Sequence, residues 1–373
     1  MRILLVSNYY PEHVGGIETV AASLALGYRK RGHEVRWIAG DIGGARHPAA
    51  GDDSPVRVWN GIERLGFPYP LPSPAAVRRI ARHVEWSEVV HMHDCLYAIN
   101  VATFRATRRR HRPVLLTQHV AKVPYRNPLV RGLQSAAYAT IGRSVLSRAE
   151  QVVFVSEQVR RWFEPRVRFR RSPFVIENGI DADLFQPPSD SERDSIRAGL
   201  GANGSRPLLL FVGRFVEKKG VRLLQPLIGA TQYCDWLLIG RSGDVDPASW
   251  SLPNMKLMEP MHPAQLRGYY AAADLLVLPS SGEGFPVVAQ EAMACGTPAL
   301  LSELTASGLP AIRGVVFTSR LTVEELASSV KRAVDAAAGD VGMRTRVASV
   351  AHERWRTDTM VLRYEEQLEA LLG

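Results

Sequence analysis

Five short segments carry residue types suited to chemistry on a charged, hydroxyl-rich ligand. In LPSSGEGFPVVAQEAMACGTPAL, Glu283 stands in a Pro/Ser/Gly loop and Glu291 follows eight residues later. A strand ending at Leu278 and a helix beginning near Pro286 would set one carboxylate in the loop and the other one to two turns into the helix, both facing one ligand. The N–H groups of Gly284, Phe285 and Val287 would then sit at a helix N-terminus, which suits a phosphate. Acidic residues also stabilise a helix start for its own sake, so the whole string is more specific than either glutamate. LLLFVGRFVEKKG places Arg214 and Lys219 on one loop after a strand that ends at Val212, two cations suited to a diphosphate whose charge grows as it leaves. SNYYPEHVGGIETV puts Gly15 and Gly16 before a helix starting near Ile17, where backbone comes close to a ligand. Glu18 there reads either as a ligand-side group or as a first-turn stabiliser. LLTQHV and VVHMHDC leave His119, His93 and Asp94 at strand ends, where a loop, a helix cap or a site are all open readings.

The elements that must hold these segments alternate strand and helix from the first residue. Strands are expected at 2–7, 34–39, 56–59, 88–92, 114–117, 151–155 and 174–176, with helical patterns filling most intervals. In GIETVAASLALGYRKRG, Ile17, Val20, Ala21, Leu24 and Tyr28 share one helical face and Gly32 supplies the stop. ENGIDADLFQPPSDSE breaks the pattern. It restarts with strands at 208–212, 236–239, 256–258, 274–278 and 299–301, and RWRTDTMVLRYEEQLEALL forms a closing helix. The fold class is therefore α/β: two doubly wound halves joined near 172–185, each with its ligand site beyond the carboxyl ends of its strands. Two such halves facing each other would place those loops across one cleft.

Composition agrees. A chain of 373 residues favours two domains, and 46% hydrophobic with 22% charged residues is the balance of a soluble globular protein. No apolar run is long enough to cross a bilayer. MRILLVSNYYPE reads as a buried first strand rather than a signal peptide. Cys95, Cys234 and Cys295 are too few and too scattered for a disulfide framework or a zinc site, which points to the cytosol. Residues 1–175 hold 27 Lys and Arg against 13 Asp and Glu; the remainder holds 19 against 24. A one-sided basic field attracts an anionic membrane, nucleic acid or a phosphorylated substrate, and an Arg-rich solvated surface would look the same.

EGFPVVAQEAMACGTP resembles the EX7E signature of the family-4 retaining glycosyltransferases, whose GT-B fold pairs two Rossmann-like domains across a cleft. The resemblance extends to GR…KG at Arg214 and Lys219 and to the GGxE motif at Gly15, Gly16 and Glu18. It implies that Glu283 sits by the donor sugar, Glu291 binds ribose hydroxyls, Arg214 and Lys219 hold diphosphate, and the Gly15–Gly16 loop meets phosphate and helps to shape the acceptor site with Glu18. His119 would contact the sugar as a catalytic-site residue, and His93 and Asp94 would line the cleft wall. Pro286 replaces the commoner Gly after EGF, which a helix N1 position tolerates. After Pro298 the family often has Gly-Gly-x-x-Glu where this chain has SELTASGLPAIRG, a departure near the donor sugar.

By the same resemblance, residues 1–175 with the crossing helix 355–373 form an acceptor domain, and 176–354 a nucleotide-sugar domain. The expected activity is retaining transfer of a hexose-type sugar from UDP- or GDP-sugar to a saccharide or lipid-linked saccharide in cell-surface polysaccharide or lipopolysaccharide synthesis. The Asp-x-Asp strings at Asp181–Asp183 and Asp244–Asp246 read as a turn and a loop, so neither a metal nor a cofactor is expected. Nucleic acid is not an expected partner. NPLVRGLQSAAYATIGRSVLSR mixes Leu129, Val130, Leu133, Ile141 and Val145 with Arg131, Arg143 and Arg148, and fits either an interfacial helix at the inner face of the cytoplasmic membrane or an ordinary packed helix. Two other classes compete. A nucleotide-sugar epimerase or dehydrogenase would share such halves, although a dinucleotide site wants a GxGxxG that the first turn lacks. A non-catalytic sugar-binding scaffold would tolerate loss of Glu283, Arg214 or Lys219, all of which are present.

Overall fold

Runs such as residues 3–6 and 275–278 are apolar at every position and buried on both faces, so they can only be interior strands of sheets covered on two sides. The computed structural model describes residues 1–11, 16–41, 55–59, 69–121, 127–202, 206–281, 285–307, 312 and 314–373. They form two units, Met1–Gly179 with Thr357–Gly373, and Ile180–Arg356.

The first unit runs β1 (Arg2–Tyr9), α1 (Gly16–Lys30), β2 (Glu34–Asp41), β3 (Val56–Trp59), β4 (Leu71–Pro72), α2 (Pro74–Trp86), β5 (Val89–His93), α3 (Ala98–Arg110), β6 (Val114–Gln118), α4 (Pro128–Ala137), α5 (Arg143–Leu146), β7 (Gln151–Phe154), α6 (Glu157–Phe163) and β8 (Phe174–Val175). Its sheet order is β4-β3-β2-β1-β5-β6-β7-β8. All pairs are parallel except β3 with β4. The second unit runs α7 (Asp190–Gly199), β9 (Leu208–Val212), α8 (Val221–Ala230), β10 (Asp235–Ile239), β11 (Met255–Met258), α9 (Pro263–Ala272), β12 (Leu275–Leu278), α10 (Val287–Ala294), β13 (Ala299–Ser302), α11 (Glu303–Ala306), β14 (Val316–Ser319), α12 (Val323–Gly339) and α13 (Met343–Arg354). Its all-parallel sheet has the order β11-β10-β9-β12-β13-β14. Both sheets contain the doubly wound order of a Rossmann-like domain, reversing between β1 and β5 and between β9 and β12. At those reversals adjacent loops diverge and leave room for a ligand.

Each strand expected from the sequence is present, and β4 and β14 are additional. Both are edge strands: β4 is two residues long and contains a proline, and only Ser319 of β14 is fully buried, so neither carries a continuous apolar run. All three cysteines are buried thiols.

The chain returns to the first unit as α14 (Thr357–Glu369), which lays Met360, Val361, Tyr364 and Leu368 into its core. Glu365 pairs with Arg31, and with His33 at 2.5 Å, fixing the helix beside the end of α1. The two helices meet at Gly27, where a Cβ would lie 2.3 Å from Val361 Cγ2. Gly27→Ala should therefore cost about 1–3 kcal/mol by overpacking. In a double-mutant cycle read by denaturant unfolding, Val361→Ala should recover most of that loss; strictly additive effects would show that the contact is loose.

Candidate functional site

Three loops that follow neighbouring strands of the second unit are stitched together where its strand order reverses. After β9 the chain passes Gly213, exposed Arg214 and a single 3-10 turn, Glu217–Lys219, before α8. Gly220 ends that turn with φ +72°, and a Cβ there would lie 2.0 Å from the Pro279 carbonyl oxygen at the end of β12. The Ser281 N–H donates to the Lys218 carbonyl at 2.8 Å. On the other side a Cβ at Gly240 would lie 1.9 Å from the Gly213 carbonyl oxygen. Phe215 N–H donates to the Arg241 carbonyl at 2.9 Å, and Glu217 N–H to Asp244 Oδ2 at 3.2 Å. The loop bearing Arg214 and Lys219 is thus held against the loop that leads into α10.

Glu283 and Gly284 lie outside the described residues, as does Gly15 in the first unit. Phe285 is buried, with its ring 4.9 Å from that of Trp355, so its side chain anchors the start of α10. Pro286 stands one position earlier than the N1 place expected for it: it is the N-cap, and Val287 is the first helical residue. The shift is physically mild, because proline has no N–H to lose and the N-cap carbonyl still accepts, from Ala289 N–H at 2.9 Å. Among the described residues no side chain caps this first turn, where the Val287 and Val288 N–H groups lie.

One turn on, Glu291 is buried and receives the Tyr270 hydroxyl at 2.8 Å. Burial pushes its carboxyl pKa up to about 7, and the tyrosine hydrogen bond offsets this only in part. Tyr270 is its one donor among the described residues, and a diol could supply more. The aspartates of both Asp-x-Asp strings are engaged locally. Asp181 Oδ1 accepts from the N–H groups of Asp183 and Leu184, Asp246 caps the turn Pro247–Ser249, and Asp244 holds Glu217.

The first unit gathers its own set where β5 and β6 end. His93 Nδ1 and His119 Nε2 are 2.8 Å apart with stacked rings, and both side chains are buried. Burial lowers the pKa of His119 to about 3 and that of His93 well below its ordinary value, so both are neutral. Asp94 occupies the left-handed region at φ 69°, which places Oδ1 where it accepts from Gln118 Nε2 at 2.6 Å and from His119 N–H at 3.2 Å. Asp94 therefore braces the turn that carries His119. Gly16 opens α1 with no described residue within 4 Å of a Cβ, and Glu18 is buried in its first turn. Nothing in the sequence singles out Tyr270 or Gln118, whose partners Glu291 and Asp94 lie more than 20 residues away, or Asn100, which bonds the carbonyls of His93 and Asp94 just before its helix. The i, i+2 spacing of His91 and His93 is the one signal that two imidazoles share a strand face.

The family model described as Glycosyltransferase Family 4 matches residues 14–184, and that described as Glycosyl transferases group 1 matches residues 206–336. The chain belongs to the family-4 glycosyltransferases. This glycosyltransferase is 27% identical over 313 residues to the D-inositol 3-phosphate glycosyltransferase of Xylanimonas cellulosilytica, covering 76% of this chain and 74% of that one. It is 26% identical over 307 residues to the GDP-mannose-dependent alpha-mannosyltransferase of Mycolicibacterium smegmatis, covering 80% and 79%. Its fold superposes on that of Anabaena Alr3699/HepE, solved with UDP and glucose, with a TM-score of 0.81 at 18% identity over 100% of both chains. The doubly wound order of both sheets is that of the GT-B glycosyltransferases.

The raised pKa of Glu291 means that the fold holds this proton more tightly than the unfolded chain does. Its stability should be greatest below pH 4.5, fall as pH rises toward 7, and level off above. Glu291→Gln keeps an acceptor for Tyr270 but cannot ionise. Relative to the parent it should gain about 1–3 kcal/mol between pH 5 and pH 8, measured by denaturant unfolding without ligand; a pH-independent difference would mean that Glu291 ionises normally.

Proposed function

We propose that this glycosyltransferase moves a hexose-type sugar from a UDP- or GDP-sugar to a hydroxyl of a saccharide or lipid-linked saccharide, with retention and without a metal. The observation that carries the donor half is the stitched junction after β9, β10 and β12, which keeps Arg214 and Lys219 on a loop bound to the one entering α10. In this reading the two cations, with backbone N–H groups of Gly284, Phe285 and Val287, neutralise the departing diphosphate. Glu291 accepts from the ribose hydroxyls, and Glu283 orients those of the sugar. From the first unit, Gly15 and Gly16 meet phosphate, His119 meets the sugar, and Glu18, His93 and Asp94 serve the acceptor side. The bond from the anomeric carbon to phosphate oxygen breaks, and the acceptor oxygen bonds to the same face of that carbon. The acceptor proton passes to the leaving phosphate oxygen. Metal independence is supported by the engagement of Asp181, Asp244 and Asp246 with backbone N–H groups.

The acceptor reading rests on the basic first half of the chain. No helix among the described residues is long and apolar enough to cross a membrane. On α4 no side chain is fully buried, and Leu129 and Leu133 are 80% and 72% exposed. Nearby, Arg105, Arg109 and Arg148 line a groove over Phe104, Ile141 and Val145. Exposed leucines together with an arginine-lined groove suit the inner face of the cytoplasmic membrane, where a lipid-linked acceptor for polysaccharide or lipopolysaccharide synthesis would be met. The relatives named for D-inositol 3-phosphate and GDP-mannose support a phosphorylated acceptor as a second choice, and make GDP-mannose the first donor to try.

Metal-free protein incubated with a panel of UDP- and GDP-sugars should release nucleotide with one donor, and EDTA should leave the rate unchanged. Lys219→Ala should slow it about 100-fold, whereas no turnover with any donor would refute the reading. In flotation assays the protein should rise with phosphatidylglycerol vesicles and not with phosphatidylcholine vesicles, and Leu129→Glu with Leu133→Glu should abolish this. Equal behaviour on both vesicles would refute the membrane assignment.

A further inference from the structure

The imidazole of His93 is fully buried between two others. His91 and His93 share one face of β5, with ring centroids 4.6 Å apart, and the His119 ring stacks on the other side of His93 at 5.1 Å. Two parallel rungs cross from β5 to β6: His91 Nε2 to Thr117 Oγ1 at 2.8 Å, and His93 Nδ1 to His119 Nε2 at 2.8 Å. The first rung is fixed from behind, because the Tyr28 hydroxyl contacts His91 Nδ1 at 3.1 Å and the Thr117 hydroxyl donates to Tyr364 Oη at 3.2 Å. The His91 ring also lies 5.1 Å from that of Tyr364. His93 is therefore held in place by packing on both faces, and its main-chain carbonyl is held by Asn100.

Proton accounting on the second rung has two solutions. If His119 Nε2–H donated, His93 would have to carry its own proton on Nε2. That atom is buried and has no hydrogen-bond partner among the described residues. An orphaned buried N–H is among the rarest and costliest defects in a folded protein. If His93 Nδ1–H donates, only a lone pair is left without a partner at Nε2. His119 Nε2 is then the acceptor, and the proton of His119 must sit on Nδ1, which, unlike His93 Nε2, is not a fully buried atom without a partner among the described residues. Burial keeps both rings neutral, so an imidazolium does not offer a third solution.

We propose that His93 is a positioning residue that holds His119 as the neutral tautomer protonated on Nδ1, so that His119 meets substrate as an N–H donor. The inference rests on the reading of His119 as a sugar contact and adds the direction of its hydrogen bond. A neutral donor suits that place: it can bond a sugar hydroxyl without setting a full positive charge beside an anomeric carbon that becomes cationic as the diphosphate leaves.

The direct test is imidazole nitrogen NMR on the wild-type protein labelled with 15N-histidine, with His119 assigned by its absence in His119→Gln. A protonated Nδ1 and bare Nε2 on His119 are expected; the Nε2–H tautomer would overturn the proposal. Two variants then read its consequence. His93→Phe keeps a stacked ring and removes the donor; His93→Asn places an amide nitrogen where Nδ1 was. For the phenylalanine variant kcat should fall about 10- to 100-fold, with the KM for the donor sugar changed by less than about twofold. The asparagine variant should recover most of the loss. A phenylalanine variant with wild-type kcat, or an asparagine variant that folds and is no better than phenylalanine, would overturn a positioning role. An Nδ1–H signal in a protein that turns over no nucleotide-sugar would instead uphold the tautomer and overturn the functional reading on which it builds.

Discussion

Gly220 and the Pro279 carbonyl run so close that no side-chain carbon fits between them, and the chemistry of the second unit depends on that approach. Two parallel strands, β9 and β12, end side by side, and their loops would otherwise diverge. A left-handed residue closes the turn after Lys219, and the Ser281 N–H completes the seam. The positions of Arg214 and Lys219 relative to the first turn of α10 are then set by backbone, not by the reach of flexible side chains. The sheet makes this possible: buried on both faces, its strands cannot slip without exposing an entire apolar row.

Some buried charges have fixed partners and others do not. Asp274 accepts from Arg193, from Arg197 at 2.9 Å and from Leu208 N–H at 2.8 Å, and the arrangement ties α7 to β9 and β12. Arg344 is similarly engaged by the carbonyls of Ala271, Ala273 and Cys295. These charges have fixed partners and hold structure. Glu291 and His93 are the contrast. Glu291 is buried with its carboxyl pKa raised, and His93 keeps a buried Nε2 with no partner among the described residues.

Much of this was legible in the residues. Continuous apolar runs announced the interior strands because a strand covered on both faces needs nothing else, and the same reasoning explains why β14, with its mixed Val-Phe-Thr-Ser, gave no signal. The strand–loop–helix at Leu278–Val287 was readable to within one residue, and the error fell on Pro286, whose fixed φ suits the N-cap and N1 alike. Partner residues were not readable. Tyr270 reaches Glu291 from another helix, and His93 meets His119 because β5 and β6 pair in a particular register. Register and helix docking are products of the whole core, so no local window of sequence contains them.

The division of the chain gives the first unit a history different from that of the second. Its sheet is translated first, yet α14, which supplies Tyr364 to the histidine ladder and Glu365 to Arg31 and His33, leaves the ribosome only after all of Ile180–Arg356. The second unit is an uninterrupted stretch and can close its core as it emerges. The first must wait with its α1 face uncovered and Thr117 without its tyrosine. The order of assembly thus runs against the order of synthesis, and the unit begun first is finished last.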